Sequence, residues 1–204
     1  MTLPLVDRPS SADLLAARDR TLPDVVAPDF RVLFCGINPG LYTAWAGHHF
    51  ARPGNRFWPA LHRSGFTARQ LHPSEQAELL PLGLGITNVV ERATATAAEL
   101  TRPELVAGGQ RLTADVERWQ PAWLAVLGVT AYRAAFEERH AAVGRQDRSI
   151  GATRIWVLPN PSGLNAHWTP TTLAEAFAEL RAAIRKRQSR VVVVGTAAAR
   201  RRPR

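Results

Sequence analysis

Val32-Leu33-Phe34-Cys35-Gly36-Ile37-Asn38-Pro39-Gly40 decides how this chain reads. Four apolar residues in a row are too few for a helix and suit a strand buried on both faces. The Gly, Pro and Gly around Asn38 then close the strand with a sharp loop. The same grammar returns at Ile155-Trp156-Val157-Leu158, which runs into Asn160-Pro161-Ser162-Gly163-Leu164-Asn165. Loops at strand ends are where an open α/β sheet keeps its chemistry. One loop offers an asparagine. The other offers an asparagine, a serine and a leucine at its tip, a set suited to holding water and prying something apart.

Further apolar runs extend the pattern. Strands are predicted at 31–36, within 83–90, at 123–127 and at 154–158. Helices are predicted near 12–20, at 56–64 with Asn55 as its cap, from His72-Pro73-Ser74-Glu75 through Leu80, and at 104–119. The last of these carries Leu105, Leu112, Val116 and Trp119 at helical spacing. Two more are expected at 130–139 and 171–186, the latter with Leu173, Phe177, Leu180 and Ile184 on one face. Residues 38–54, rich in Gly, His and Pro, read as a long loop. This alternation predicts an α/β fold, a three-layer sandwich around a short, mainly parallel four-stranded sheet.

Composition excludes several classes. At 204 residues and 46% hydrophobic content the chain suits one full core. No apolar stretch approaches the roughly 18 residues of a membrane span. Asp7 and Arg8 interrupt the start too early for a signal peptide, so the expected location is cytoplasmic. The single Cys35 allows neither an internal disulfide nor a four-cysteine metal site within one chain. The net charge is +9, and nine basic residues with no acid fall between Arg181 and Arg204. The rest of the chain is balanced, so the C-terminal stretch carries the excess. Such a tail either holds phosphates without reading sequence or is a solvated end. Val191–Val194 is an added edge strand or part of that tail, and its Arg-rich exit favours the tail.

Familiar signatures are missing. There is no Gly-x-x-x-x-Gly-Lys-Ser/Thr loop, and Gly83-Leu84-Gly85 lacks the third glycine of a dinucleotide fingerprint. His48-His49 has no flanking acid, so no metal is expected and a loop-structural or DNA-facing role is read instead. Lys186, the only lysine, lies outside every motif, which argues against a Schiff-base nucleophile.

The motifs gain meaning as a series. Gly36-Ile37-Asn38-Pro39-Gly40-Leu41, Gly47-His48-His49-Phe50, Gly54-Asn55-Arg56-Phe57-Trp58, Ile86-Thr87-Asn88-Val89-Val90-Glu91-Arg92, Ala107-Gly108-Gly109 and Asn160-Pro161-Ser162-Gly163-Leu164 follow in order. The series resembles the mismatch-specific uracil-DNA and thymine-DNA glycosylase family, part of the uracil-DNA glycosylase superfamily. The resemblance implies a monofunctional DNA glycosylase of base excision repair. It would flip mispaired uracil from duplex DNA and hydrolyse its N-glycosidic bond, with thymine and other 5-substituted or damaged pyrimidines as further substrates. It would need no cofactor. The expected partner is double-stranded DNA with G:U or G:T mispairs, met by a monomer. The implied organisation is an N-terminal extension at 1–28, a catalytic domain at 29–187 and a basic tail at 188–204.

Roles follow by resemblance. Asn38 holds the attacking water, and Glu91 is the carboxylate that would assist it; the alternative for Glu91 is a surface pair with Arg92. Phe50 is the stacking floor, and Ile37 and Phe50 offer backbone groups to the base edge. Gly40 leaves open the space that a bulky aromatic closes in uracil-specific relatives, with Tyr42 and Thr43 as partial fillers. Asn88 contacts the base, and Asn160 faces the leaving group where relatives carry a histidine. Ser162 touches phosphate, while Gly163, Leu164 and Asn165 form a wedge with hydrogen bonds to the widowed guanine. Two other readings stay open: a non-catalytic nucleic-acid-binding module with a vestigial base pocket, and a hydrolase of small nucleosides.

Overall fold

The computed structural model describes residues 8–199. Five strands form one sheet in the order β2-β1-β3-β5-β4. They are β1 (Val32–Gly36), β2 (Leu84–Asn88), β3 (Trp123–Leu127), β4 (Gly144–Ile150) and β5 (Thr153–Leu158). The first, second, third and fifth run parallel, as their apolar runs predict.

The expectation of four strands misses β4, which pairs antiparallel with β5 at the sheet margin. Its sequence, Gly-Arg-Gln-Asp-Arg-Ser-Ile, has almost nothing to bury and gives no apolar signal. Charges on a margin strand are what keeps it from pairing further. At the opposite margin, Val25 exchanges both backbone hydrogen bonds with Ile86, so residues before β1 lie against β2.

Each central strand is buried on both faces, and alternate residues enter different cores. Val32 and Phe34 face a layer built from α3 (Phe57–Arg63) and α6 (Pro170–Ala199). There Phe34 meets Phe57 edge-on at 5.5 Å and stacks on Phe177 at 6.0 Å. Leu33 and Cys35 face α4 (Arg102–Trp119) and α5 (Val129–Ala135), among Leu112, Val116, Leu124 and Tyr132. Burial pushes the Cys35 thiol well above its ordinary range, so it is not a nucleophile.

Local chemistry sets the helix ends. Thr101 and Glu104 form a reciprocal capping box that starts α4. Helix α5 stops at Ala135, short of the expected 139, because Glu137 takes a left-handed φ of 57°. Asn55 accepts the Phe57 amide at 2.9 Å, although the cap position belongs to Arg56. A short α1 (Ser11–Ala16) and a 3-10 segment (Pro73–Leu82) replace longer or α-helical expectations. The predicted loop at 38–54 contains α2 (Leu41–Ala46), which Gly47 ends at φ 73°. Helix α6 continues through Val191–Val194, so that run is no strand; residues 200–204 of the expected tail, and 1–7 of the expected extension, lie outside the described residues. Among the described residues no helix is long and apolar enough to cross a membrane.

Helices α4 and α5 approach so closely that a β-carbon on Gly109 would collide with the Ala135 carbonyl. Alanine improves a helix by about 1 kcal/mol, whereas overfilling such a contact costs about 1–3 kcal/mol. Gly109→Ala should therefore lower the urea midpoint. An unchanged or raised midpoint would mean the two helices separate at no cost.

Candidate active site

A cleft of about 260 Å3 opens at the carboxyl ends of the parallel strands. Five segments line it: the end of β1 and its following loop with the start of α2, the loop carrying Phe50 to Asn55, the segment 94–97 beyond β2, Leu127 at the end of β3, and the loop after β5. Among the expected site residues it gathers Ile37, Asn38, Gly40, Thr43, Phe50, Asn160, Ser162 and Leu164.

Asn38 is held by its nitrogen. Its Nδ2 donates to the carbonyls of Pro39 and Arg92, each at 3.1 Å, and to Thr94 Oγ1 at 2.7 Å. Acceptors on that side force the NH2 group to face them. The carboxamide oxygen is left for the cleft, where it can accept a hydrogen from water. Thr94 is buried, and its own hydroxyl donates to Thr96 O at 2.8 Å. Backbone bonds between Leu41 and Thr94, and between Thr94 and Pro39, brace the same corner.

The floor is aromatic. Phe50 stacks on Phe57 at 4.1 Å with 27° between the rings, so one face is backed by the core. Phe50 adopts a left-handed φ of 55°, a costly conformation for a bulky residue that clusters at functional sites. A β-carbon on Gly36 would collide with Asn88 Oδ1 and stand 3.3 Å from the Phe50 ring. Glycine thus lets the amide and the ring meet over the end of β1. Asn88 is buried at the end of β2 and is not among the residues that line the cleft.

His49 sits behind Asn88. Its Nε2 lies 3.0 Å from the Pro23 carbonyl, and its Nδ1 lies 3.4 Å from Asn88 Nδ2. Its backbone is tied to Gln76 Oε1 and to the Trp58 indole. The loop-structural reading of this histidine fits that burial. Among the described residues no group of three His, Cys, Asp or Glu could share a metal.

The loop after β5 is fastened from inside. Asn160 Oδ1 accepts the Ser162 amide at 2.9 Å, which leaves the Asn160 NH2 group for the cleft. Arg56 donates to the carbonyls of Ser162 at 2.7 Å, Asn165 at 2.8 Å and Trp168. The Arg56 backbone amide also donates to Pro161 O at 2.9 Å. Gly163 rests against the Gly54 carbonyl, where a β-carbon would not fit. At the tip of this braced loop Leu164 is 75% exposed, an unusual place for a large apolar side chain.

Three expected roles meet different surroundings. Glu91 lies outside the cleft, with a half-exposed side chain 3.7 Å from Arg111. Its partner is Arg111 and not Arg92, because Arg92 turns to Glu104 at 2.6 Å and holds that carboxyl down at about 2. Asn165 spends its amide within the loop, donating to Asn160 O and accepting from His167 N. Tyr42 leans on Trp45 and is not in the wall, so only Thr43 borders the space beside Gly40. That space is open: a β-carbon on Gly40 would meet nothing within 4 Å.

Other residues of the site escaped sequence reading. Thr94 to Ala97 form a wall without strand or helix periodicity, and Arg56 looks like any first-turn arginine. Arg52 also borders the cleft and is exposed.

A family model described as the Uracil DNA glycosylase superfamily matches residues 23–185. The fold is also similar to the solution NMR structure of a proposed uracil DNA glycosylase from Methanosarcina acetivorans. That likeness has a TM-score of 0.55 at 15% identity, over 80% of this chain and 98% of the other. At such identity it is a likeness of fold.

The clamp on the exposed loop has a measurable consequence. Lysine cannot span three carbonyls as a guanidinium does. Arg56→Lys should raise amide hydrogen exchange across residues 162–168 by roughly tenfold or more, since each lost charge-assisted bond is worth about 1.5–3 kcal/mol. Protection equal to that of the unaltered protein would show that Arg56 does not hold the loop.

Proposed function

The chain belongs to the uracil DNA glycosylase superfamily, and from that footing we propose that it is a mismatch-specific uracil-DNA glycosylase. Its substrate is double-stranded DNA with G:U or G:T mispairs, and it acts as a cytoplasmic monomer in base excision repair. The observation that carries the reading is the Asn38 amide, anchored by its nitrogen at the wall of a cleft that Phe50 and Asn160 also line.

The nucleotide leaves the stack at a cost of a few kcal/mol, least for a mispair. Stacking on Phe50 returns about 1–3 kcal/mol, too little alone, so the gap must also be filled. Leu164 is suited to that, as an apolar side chain held out on a rigid loop. The bond between the sugar carbon and the base nitrogen then breaks. The electron pair goes to the base, which leaves as an anion, and the sugar becomes cation-like. The Asn160 NH2 group donates toward that anion, more weakly than a charged histidine would.

Water adds its oxygen to the sugar carbon and loses a proton to solvent. Asn38 is a poor base but a good acceptor, and a cation-like carbon demands orientation more than deprotonation. Glu91 has no part in this scheme, because its carboxylate stands outside the cleft beside Arg111. The unfilled space at Gly40 supports access for 5-substituted pyrimidines such as thymine. Ser162 and Arg52 are placed to meet phosphates at the rim.

Purified protein should release uracil from a G·U duplex without added metal, and strand cleavage should appear only after alkali. Absence of release at micromolar enzyme would favour a nucleic-acid-binding module with a vestigial base pocket. Asn38→Ala should slow single-turnover excision by roughly 10²–10⁴, whereas Glu91→Gln should leave the rate unchanged; the opposite ranking would restore Glu91 as the base. Leu164→Ala should slow excision from duplexes more than from single strands. Equal losses on both would remove the wedge from the mechanism.

A further inference from the structure

A second cavity, of about 250 Å3, lies at the other end of the sheet. Val32 and Leu84, the first residues of β1 and β2, border it, whereas the active cleft opens where those strands finish. Four strand steps of roughly 3.3 Å put about 13 Å between the two ends. Three arginines line the cavity: Arg31 just before β1, and Arg181 and Arg185 one turn apart on α6. Phe66, Leu82 and Ile184 supply an apolar wall, with Leu82 42% exposed. No carboxylate is among the lining residues.

Two of the guanidiniums are seated. Gly65 and Gly83 follow α3 and the 3-10 segment with left-handed φ of 78° and 72°, which alone accounts for glycine there. It does not account for what lies against them. A β-carbon on Gly65 would stand 2.9 Å from Arg181 Nη1, and one on Gly83 would stand 3.1 Å from Arg31 Nε. The corner is braced, because the Gly83 carbonyl accepts from the amides of Arg31 at 2.7 Å and Val32 at 3.1 Å. Phe66 packs edge-on against Phe34 of the core at 5.4 Å. Arg181 is half-buried rather than extended into water.

We propose that this cavity is a non-catalytic site for a phosphate monoester, carried by a mononucleotide or by the phosphorylated end of a DNA strand. Like charges gathered in one cavity without an acid repel, and an anion between them removes that cost. Arginine forks match phosphate oxygens two at a time. Three forks offer more donors than the two oxygens of a carboxylate can use, whereas a phosphate monoester brings three oxygens. The wall of Phe66, Leu82 and Ile184 suits the sugar or base beside the phosphate. Nothing in this site depends on the chemistry of the cleft.

Backbone amide resonances of Gly65, Phe66 and Gly83 report on this cavity in the nitrogen-15-labelled full chain. The protein is titrated with inorganic phosphate, with dAMP, and with a short uracil-free single strand that carries a terminal phosphate or lacks it. Saturable shifts at those three amides are expected from dAMP, from the phosphorylated strand or from both, and the tighter of the two names the source. Arg31→Gln combined with Arg181→Gln should weaken that binding by roughly tenfold or more, with single-turnover excision at the cleft unchanged. A parallel fall in excision would overturn the separation of the two sites. Shifts that persist in the double variant, equal titration by the unphosphorylated strand, or tighter titration by a glutamate oligopeptide would overturn the phosphate assignment. No saturation by any phosphate probe would leave the arginines a solvated surface. The titration of the unaltered protein decides the matter even if the double variant does not fold. Failure to release uracil would refute the reading of the cleft and leave this site to be judged by its own amides.

Discussion

A β-carbon on Gly36 would collide with the Asn88 carboxamide and crowd the Phe50 ring, and the site is arranged around that close approach. The Asn88 amide and the Phe50 ring both close over this one point at the end of β1. Strand β1 is fixed beneath them because both of its faces are buried, one against aromatic rings and the other against α4 and α5. The floor is therefore continuous with the core through Phe57 and Phe34. A displacement of Phe50 cannot stay local. It would disturb a stack that reaches α6 through Phe177.

Three neutral amides surround the cleft and its floor, and each has one end tied to the protein. Asn38 is tied by nitrogen to two carbonyls and a hydroxyl. Asn160 is tied by oxygen to the Ser162 amide. Asn88 is tied by nitrogen to His49. An untethered carboxamide can turn over and exchange donor for acceptor. These cannot do so without abandoning a bond, so one residue type supplies an acceptor at one place and a donor at another. Neutral groups also avoid the large cost of desolvating a charge in a partly buried cleft.

The parallel strands were readable because residues buried on both faces must be apolar throughout. Their carboxyl-end loops were readable because Gly, Pro and Asn punctuate them. Strand β4 was not readable: it buries little beyond Ile150 and obeys no apolar rule. Helix α2 hid in a loop-like composition, since a short helix between Gly40 and Gly47 needs few strong helix formers. Within the site, Asn38, Phe50 and Asn160 could be named from strand-end position and resemblance. Thr94 and Arg56 could not, because their parts depend on carbonyls supplied by residues distant in sequence. The surroundings of Glu91 could not be read either, as its carboxylate stands 3.7 Å from Arg111, twenty residues further on.

The clamp that Arg56 places on residues 162–168 also bears on how DNA would be searched. A tip that is already ordered surrenders little further entropy on meeting a duplex. The slow coordinate then belongs to the nucleic acid, whose spontaneous breathing decides when a base becomes available. Weak pairs breathe more often than strong ones, so on the proposed function a stiff probe would sort sites by the fragility of their surroundings before any base is inspected.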